Sequence, residues 1–216
     1  MNKESILKAI KELKEKSKKR NFSQTVDLII NLKNLNLKSN EEQIDFYATL
    51  HNDLGKKIKV CALVGPELKE QALKVCDEVI TPEQFPKYAD KKLVKKLAAK
   101  HNYFIAQANL MGQIAQIFGR ILGPRNKMPN PKAGCVVLPN ANLAPLVEKL
   151  QKTVRVFAKN SLSFKCAIGT EKMDDAKLAD NIDVIYSQLV NHLPKETANI
   201  KNMLIKLTMD KPIRLV

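Results

Sequence analysis

The densest chemical signal in the sequence is the stretch Gly119-Arg120-Ile121-Leu122-Gly123-Pro124-Arg125-Asn126-Lys127-Met128-Pro129-Asn130-Pro131-Lys132-Ala133-Gly134. It carries three of the seven glycines, three of the ten prolines and four cations (Arg120, Arg125, Lys127, Lys132), with no Asp or Glu. The acid-free zone around it is wider: the 57 residues from Lys91 to Val147 hold nine cations and no carboxylate, a local charge of +9. Cations without counter-charges, set beside backbone-permissive glycines, suit contact with a polyanion rather than proton transfer or nucleophilic attack. Gly and Pro at this density break helices and central strands, so the spacing predicts an ordered loop shaped by Gly119, Gly123 and Gly134. It is not a P-loop, since GxxxxGK[ST] is absent.

A second group with binding chemistry is Arg20-Asn21-Phe22-Ser23-Gln24-Thr25. A guanidinium, two amides, two hydroxyls and an aromatic ring are the groups that phosphates, sugars and bases require. Two readings stay open for it: an RNA contact, or a junction in which Phe22 anchors the core and Ser23 makes a turn. Other chemistries find little support. Cys61, Cys76, Cys135 and Cys166 are scattered without a CxxC pair and read as small buried hydrophobes in a reducing compartment. His51, His101 and His192 stand far apart, with no carboxylate or Cys at ligand spacing. The expectation is no catalytic site, no metal, no cofactor and no enzymatic activity.

The whole composition agrees. A 216-residue chain with 44% hydrophobic residues can bury a core, while a net charge of +15 calls for an anionic partner. Membrane is the weakest candidate, because no run of 18 apolar residues exists. The opening Met1-Asn2-Lys3-Glu4-Ser5 lacks the apolar core of a secretory signal, so a cytoplasmic location is expected.

These groups need elements to hold them. Residues 2–20 read as a helix with Asn2 as N-cap and Ile6, Leu7, Ile10 and Leu13 as its apolar stripe. Its charges fall at i,i+4 (Glu4/Lys8, Lys8/Glu12, Lys11/Glu15, Glu12/Lys16, Glu15/Lys19), which predicts a solvated, weakly self-stabilising face. Period-two runs follow at Val26 to Leu32 and Ile44 to Leu50, as in strands buried on one face. The texture then changes. Ile58 to Val64 is almost continuously apolar, and further apolar strands lie around Val79-Ile80, Tyr103 to Ala106 and Cys135 to Leu138. Helical segments at Glu67 to Val75, Pro82 to Lys100 (in one or two pieces) and Asn109 to Phe118 separate them, and another runs from about Asn142 to Gln151. This alternation predicts a parallel, Rossmann-like α/β unit. Half-buried texture returns with Phe164, Cys166 and Ile168, then with Met203, Ile205, Leu207 and Met209, and between them Leu178, Ile182, Ile185 and Leu189 stripe a helix ending before Pro194. The expected architecture is an α+β two-ended domain (1–56 plus 153–216) with an inserted Rossmann-like α/β domain (57–152) carrying a parallel sheet. The two chain crossings between them would permit hinge motion.

The segment Arg120-Ile121-Leu122-Gly123-Pro124-Arg125-Asn126-Lys127-Met128-Pro129-Asn130-Pro131 closely resembles the signature of the L-one family of large-subunit ribosomal proteins, in its archaeal form. The resemblance covers essentially the whole chain and implies the same two-ended arrangement. It implies that Arg20, Asn21, Phe22, Gln24 and Thr25 face ribosomal RNA from the helix-to-strand junction. A second contact region is a Thr-Met-Gly-Pro turn in the family; here it reads Thr208-Met209-Asp210-Lys211-Pro212, with Asp210 where glycine would allow positive φ or close approach. Thr208 and Met209 are carried over, and Lys211 offers a compensating charge. A third is a basic turn matched by Lys159-Asn160-Ser161-Leu162-Ser163; Ser161 stands where lysine is usual, so Lys159 and Asn160 alone are carried over. The loop cations Arg120, Arg125, Lys127 and Lys132 are expected either to organise the inserted domain or to face transfer RNA, together with Lys91 to Lys100. The function implied is a constituent of the large subunit that binds rRNA at its mobile stalk, contacts and helps release deacylated tRNA, and represses its own mRNA. It would be ribosome-bound in the cytoplasm and a monomer off the ribosome. An assembly factor with the same RNA-binding fold is the alternative.

Overall fold

A computed structural model describes residues 3–18, 20–39 and 42–215; the expected N-cap Asn2, and Lys19 of the Glu15/Lys19 pair, lie outside them. The chain opens with helix α1 (Lys3–Lys16) and strands β1 (Thr25–Leu32) and β2 (Ile44–Thr49). Its middle runs β3 (Val60–Leu63), α2 (Pro66–Val75), β4 (Glu78–Ile80), α3 (Lys91–Lys100), β5 (Tyr103–Gln107), α4 (Met111–Leu122), β6 (Val136–Val137) and α5 (Leu143–Gln151). It closes with β7 (Thr153–Ala158), β8 (Ser163–Thr170), α6 (Asp175–His192), β9 (Ile200–Leu207) and β10 (Ile213–Arg214). Two compact units result: residues 1–56 with 152–216, and residues 57–151.

The two-ended unit is built on an antiparallel sheet ordered β10-β9-β1-β8. Strict alternation buries Val26, Leu28, Ile30 and Leu32 of β1, and the facing positions of β8 and β9 follow suit. The inward side chains pack in one core with Ile6, Ile10 and Leu13 of α1 and Leu178, Ile182, Ile185 and Leu189 of α6. The α1 lysines do more than stabilise their own helix. Glu12 and Lys16 do pair at i,i+4, but Lys3 reaches Asp180 of α6 (2.6 Å), and Lys14 reaches Asp175 (2.5 Å) and the Met173 carbonyl (2.7 Å). Ion pairs this exposed contribute little, so apolar burial dominates the packing of α1 on α6.

Strand β7 was not expected from the sequence. It pairs antiparallel with β2 in a separate two-stranded sheet, from Ile44↔Ala158 to Thr49↔Thr153. Its pattern is masked because Phe157 points to the partly exposed side with Arg155 rather than inward. The Arg155 guanidinium lies 4.8 Å from the Phe157 ring centre and 5.7 Å from that of Tyr47. Its Nε and Nη2 donate to the two Asp45 carboxylate oxygens (2.9 and 3.1 Å). The short strand β10 was likewise unforeseen. Lys152, whose carbonyl accepts from the Leu50 amide (2.8 Å), falls with this unit.

The inserted unit is a parallel sheet ordered β4-β3-β5-β6, as the doubly buried strands predicted. All four β3 residues are buried. Helix α4 departs from expectation: it continues through Gly119 and Arg120 to Leu122, because Ile114, Phe118, Ile121 and Leu122 keep one buried stripe. The glycine-rich loop therefore begins at Gly123.

In such sheets small ligands enter where the strand order reverses, outside the carboxyl ends of the two central strands. That crevice, at the ends of β3 and β5, is occupied by the protein itself. Gln107, 1% exposed, accepts from the Gly65 amide through Oε1 (2.7 Å) and donates through Nε2 to Glu67 (3.1 Å). Even a Cβ on Gly65 would meet Gln107 Oε1 at 3.0 Å. The first turn of α2, where a nucleotide phosphate would sit, presents a carboxylate instead. Gln107→Ala leaves the buried Gly65 N–H without its partner, and urea unfolding should show a loss of about 1–3 kcal/mol. An unchanged midpoint would mean the plug carries no structural weight.

Candidate nucleic-acid interface

The helix-to-strand junction and the C-terminal turn are far apart in sequence, yet they form one hydrogen-bonded unit at one end of the four-stranded sheet. The Thr208 amide donates to the Thr25 carbonyl (3.1 Å), and the Thr208 hydroxyl oxygen accepts from the Thr25 amide and donates to the Thr25 carbonyl (both 3.2 Å). Gln24, 1% exposed, is the tie behind them. Its Oε1 accepts from the Met209 amide (3.2 Å), and its Nε2 donates to Asp210 Oδ2 (3.4 Å). The Gln24 carbonyl accepts from the Glu171 amide (3.0 Å), which draws in the end of β8. Gln24 is therefore a positioning residue with no surface of its own.

What this frame presents is apolar and cationic. Phe22 is 53% exposed and Met209 58%, two large apolar side chains held on the surface. Phe22 does not anchor the core, and Met209 does not continue the inward face of β9, which ends at Leu207. Arg20, Asn21, Thr208 and Lys211 are exposed around them. The Asp210 amide donates to the Leu207 carbonyl (3.2 Å), closing the turn, and Asp210 has no positive φ, so its backbone does not need glycine. An aromatic and thioether surface bordered by cations is suited to stacking on unpaired bases while holding phosphates.

One cation here was missed by sequence reasoning. Lys56 donates through Nζ to the Thr25 hydroxyl (2.6 Å). Gly55, at φ +70°, delivers it, and a Cβ there would come within 2.7 Å of Thr170 Oγ1. Asn52-Asp53-Leu54-Gly55 reads as a turn, but nothing local says that the turn returns to Thr25.

Lys159 and Asn160 are not brought to this end. Thr25 pairs with Thr170, whereas Asn31 pairs with Ser163, so the 159–163 turn sits at the opposite end of β8. Seven strand steps separate the two, roughly 23 Å. Lys159 is bonded to Asp45 (3.2 Å). Burial pushes the Asp45 carboxyl up, but hydrogen bonds from Arg155 and Lys159 outweigh it and hold the group below its ordinary value. Ser161, in place of a lysine, closes its own turn, its hydroxyl accepting from the Ser163 amide (3.0 Å) and donating to the Ser163 carbonyl (2.9 Å).

In the inserted unit the loop cations divide by role. Lys127 Nζ donates to the Ala98 and His101 carbonyls (both 2.7 Å), closing the C-terminal end of α3. Burial pushes its pKa down, and neighbouring Arg125 adds to the effect. Lys127 is structural, therefore; Arg120, Arg125 and Lys132 are exposed, although Arg125 Nη1 also donates to the Lys95 carbonyl of α3 (3.4 Å). Asn126 (φ +55°) and Gly134 (φ +74°) make the left-handed turns, and the Asn130 side chain accepts from the Lys132 amide (2.9 Å). Among the described residues no three His, Cys, Asp or Glu side chains converge as a metal site, and no helix is long and apolar enough to cross a membrane.

The frame makes a quantitative demand on Gln24. Gln24→Ala removes the acceptor of the Met209 amide and the donor to Asp210, so stability should fall by about 1–3 kcal/mol. Hydrogen exchange at Met209 should quicken while the β1 amides change only with global stability. Unaltered exchange at Met209 would show that the turn is held without Gln24.

The sequence has parallels in known proteins. The chain is 43% identical over 211 residues to the large ribosomal subunit protein uL1 of Nanoarchaeum equitans, covering 96% of this chain and 97% of that one. It is 39% identical over 216 residues to the protein of the same name from Methanothermococcus thermolithotrophicus, covering 100% and 99%. The Thermococcus kodakarensis uL1 is 38% identical over 217 residues, covering 99% and 98%. Residues 13–210 match the profile of the ribosomal protein L1p/L10e family. The signature loop, the two-unit α/β architecture and these full-length similarities together place the chain in the ribosomal protein L1p/L10e family.

Proposed function

We propose that this protein is a structural constituent of the large ribosomal subunit that grips large-subunit rRNA at the mobile stalk through its two-ended unit. It works without catalysis or cofactor, ribosome-bound in the cytoplasm. The observation that carries this reading is the exposed Phe22–Met209 pair, mounted on the Gln24–Thr25–Thr208 hydrogen-bond frame and flanked by Arg20, Lys56 and Lys211. The rigid frame prepays the ordering of both segments, so RNA binding spends little on it. The cations hold phosphates and the apolar pair packs on unstacked bases or riboses.

The inserted unit serves the same assembly through its exposed Arg120, Arg125 and Lys132, which face the outgoing deacylated tRNA and help its release as the stalk moves. The same rRNA-reading surface represses translation of the protein's own mRNA where that RNA mimics the rRNA site. Lys127 takes no direct part, because its ammonium is committed to the end of α3.

Competition binding at fixed salt tests the rRNA reading, with the stalk rRNA set against an unrelated hairpin of equal length. The intact protein should prefer the stalk RNA, and Phe22→Ala should weaken that binding by about 1–3 kcal/mol, as loss of a base-stacking ring does. With roughly five phosphates neutralised, log affinity should fall with log salt at a slope of about −4 to −5. Equal binding to both RNAs would reduce the +15 charge to generic polyanion attraction. For the inserted unit, Arg120→Gln with Arg125→Gln should weaken tRNA contact on the assembled subunit and leave rRNA affinity within about twofold. Parallel loss of both would overturn the division of labour.

A further inference from the structure

Beside the exposed Phe22–Met209 surface the two-ended unit has a cleft of about 380 Å³, formed where the end of α1 meets the C-terminal turn. Leu13, Pro212 and Ile213 give it apolar walls, and Lys18 and Lys211 stand at its rim. Lys16 also lines it but is paired with Glu12. Among these cations sits one carboxylate, Asp210. Its Oδ2 accepts a long bond from Gln24 (3.4 Å), and among the described residues no ammonium group comes within ion-pair range of it. Asp210 is thus an acceptor with unused capacity, held in place by a buried amide, in an apolar cleft with a cationic mouth.

We propose that this cleft takes one unstacked guanine nucleotide of the bound RNA, and that Asp210 selects the base. This rests on the RNA-binding reading above. The volume falls at the small end of the range for small-ligand sites, roughly 300–1,000 Å³, which suits a single nucleoside and not a stacked pair. Apolar walls pack on the faces of a base, and Lys18 and Lys211 hold its flanking phosphates. A carboxylate in such a cleft repels phosphate and accepts from N–H and O–H donors, and among the donors on a base edge only N–H groups are available. Guanine alone presents two adjacent donors, N1–H and the N2 amino group, on its Watson–Crick edge. Adenine and cytosine place a lone pair next to the amino group, and uracil flanks its single N–H with two carbonyls, so each sets an acceptor against Asp210. The cleft shares Asp210 and Lys211 with the Thr208–Met209 turn, so a nucleotide there continues the surface that carries Phe22.

Inosine interference on the stalk rRNA tests the assignment, because inosine keeps N1–H and lacks the N2 amino group. The intact protein and Asp210→Asn, which has nearly the same shape, are each incubated with RNA in which guanosines are sparsely replaced by inosine. Bound and free pools are then compared position by position. For the intact protein, inosine at one unpaired guanine should weaken binding about five- to tenfold, the effect of one lost base-edge bond. With Asp210→Asn that position should become indifferent, while interference at base-paired guanines stays the same in both proteins. Identical profiles for the two proteins, with stalk preference intact, would overturn the cleft assignment alone. Absence of stalk preference in the intact protein would overturn the RNA-binding reading and this inference with it.

Discussion

The pairing of β1 on both of its edges with strands from the far end of the chain is the constraint on which the rest depends. From Thr25 to Asn31 it meets β8, and from Val26 to Leu32 it meets β9, in both cases antiparallel. The two-ended unit therefore has no complete sheet until both ends of the chain have met, with the inserted unit looped out between them. Contacts this distant in sequence close slowly, so the local α/β insertion is free to form first. The pairing also brings the turn after β9 beside the start of β1. Without it, Phe22 and Met209 would be two unrelated apolar residues nearly the whole chain apart.

The same register explains why this end of the sheet can expose so much apolar surface without collapsing. A solvent-facing Phe and Met would lower their free energy by folding inward, unless the backbone on which they stand is already committed. Gln24 supplies that commitment by satisfying the Met209 amide from a buried position, and Thr208 by exchanging bonds with Thr25. The fold's own core, from Leu28 and Ile30 to Met203 and Ile205, anchors the strands that carry these groups.

The large positive charge is divided by location. Lys14 and Lys3 join α1 to α6, Lys127 closes α3, Lys100 pairs with Glu78 and Lys159 with Asp45. These cations are partly compensated within the protein and contribute little net field toward a ligand. Arg20 and Lys211 stand exposed at the junction and turn, and Arg120 and Arg125 stand exposed on the inserted unit. A count of cations along the sequence cannot make this distinction, because a lysine stem reaches carbonyls that are distant along the chain.

Several features were legible from residue order alone because they rest on local periodicity. The alternation in β1 and β2, the double-sided burial of β3 and the stripe of α6 each reflect which neighbours share a face, and neighbours share a face by geometry within one element. Strand β7 escaped notice because Phe157 packs outward under Arg155, a contact made across strands. Helix α4 ran past Gly119 because its buried stripe outweighed a local helix breaker. Lys159 and Asn160 were grouped with the interface by resemblance, while strand register sends them to the other end of β8. By itself, then, the sequence determined the two textures, the order of the elements with a clear periodicity, the excess of positive charge and the residue types of the junction and the signature loop. Only the tertiary structure decided which lysines are spent on carbonyls and carboxylates, that Gln107 fills the crevice of the parallel sheet, and that Lys56 and Asp210 stand beside Thr25 and Gln24. The reason is physical: burial periodicity is a property of one element, whereas a hydrogen bond between residues 24 and 209 exists only once the register of three strands has been set.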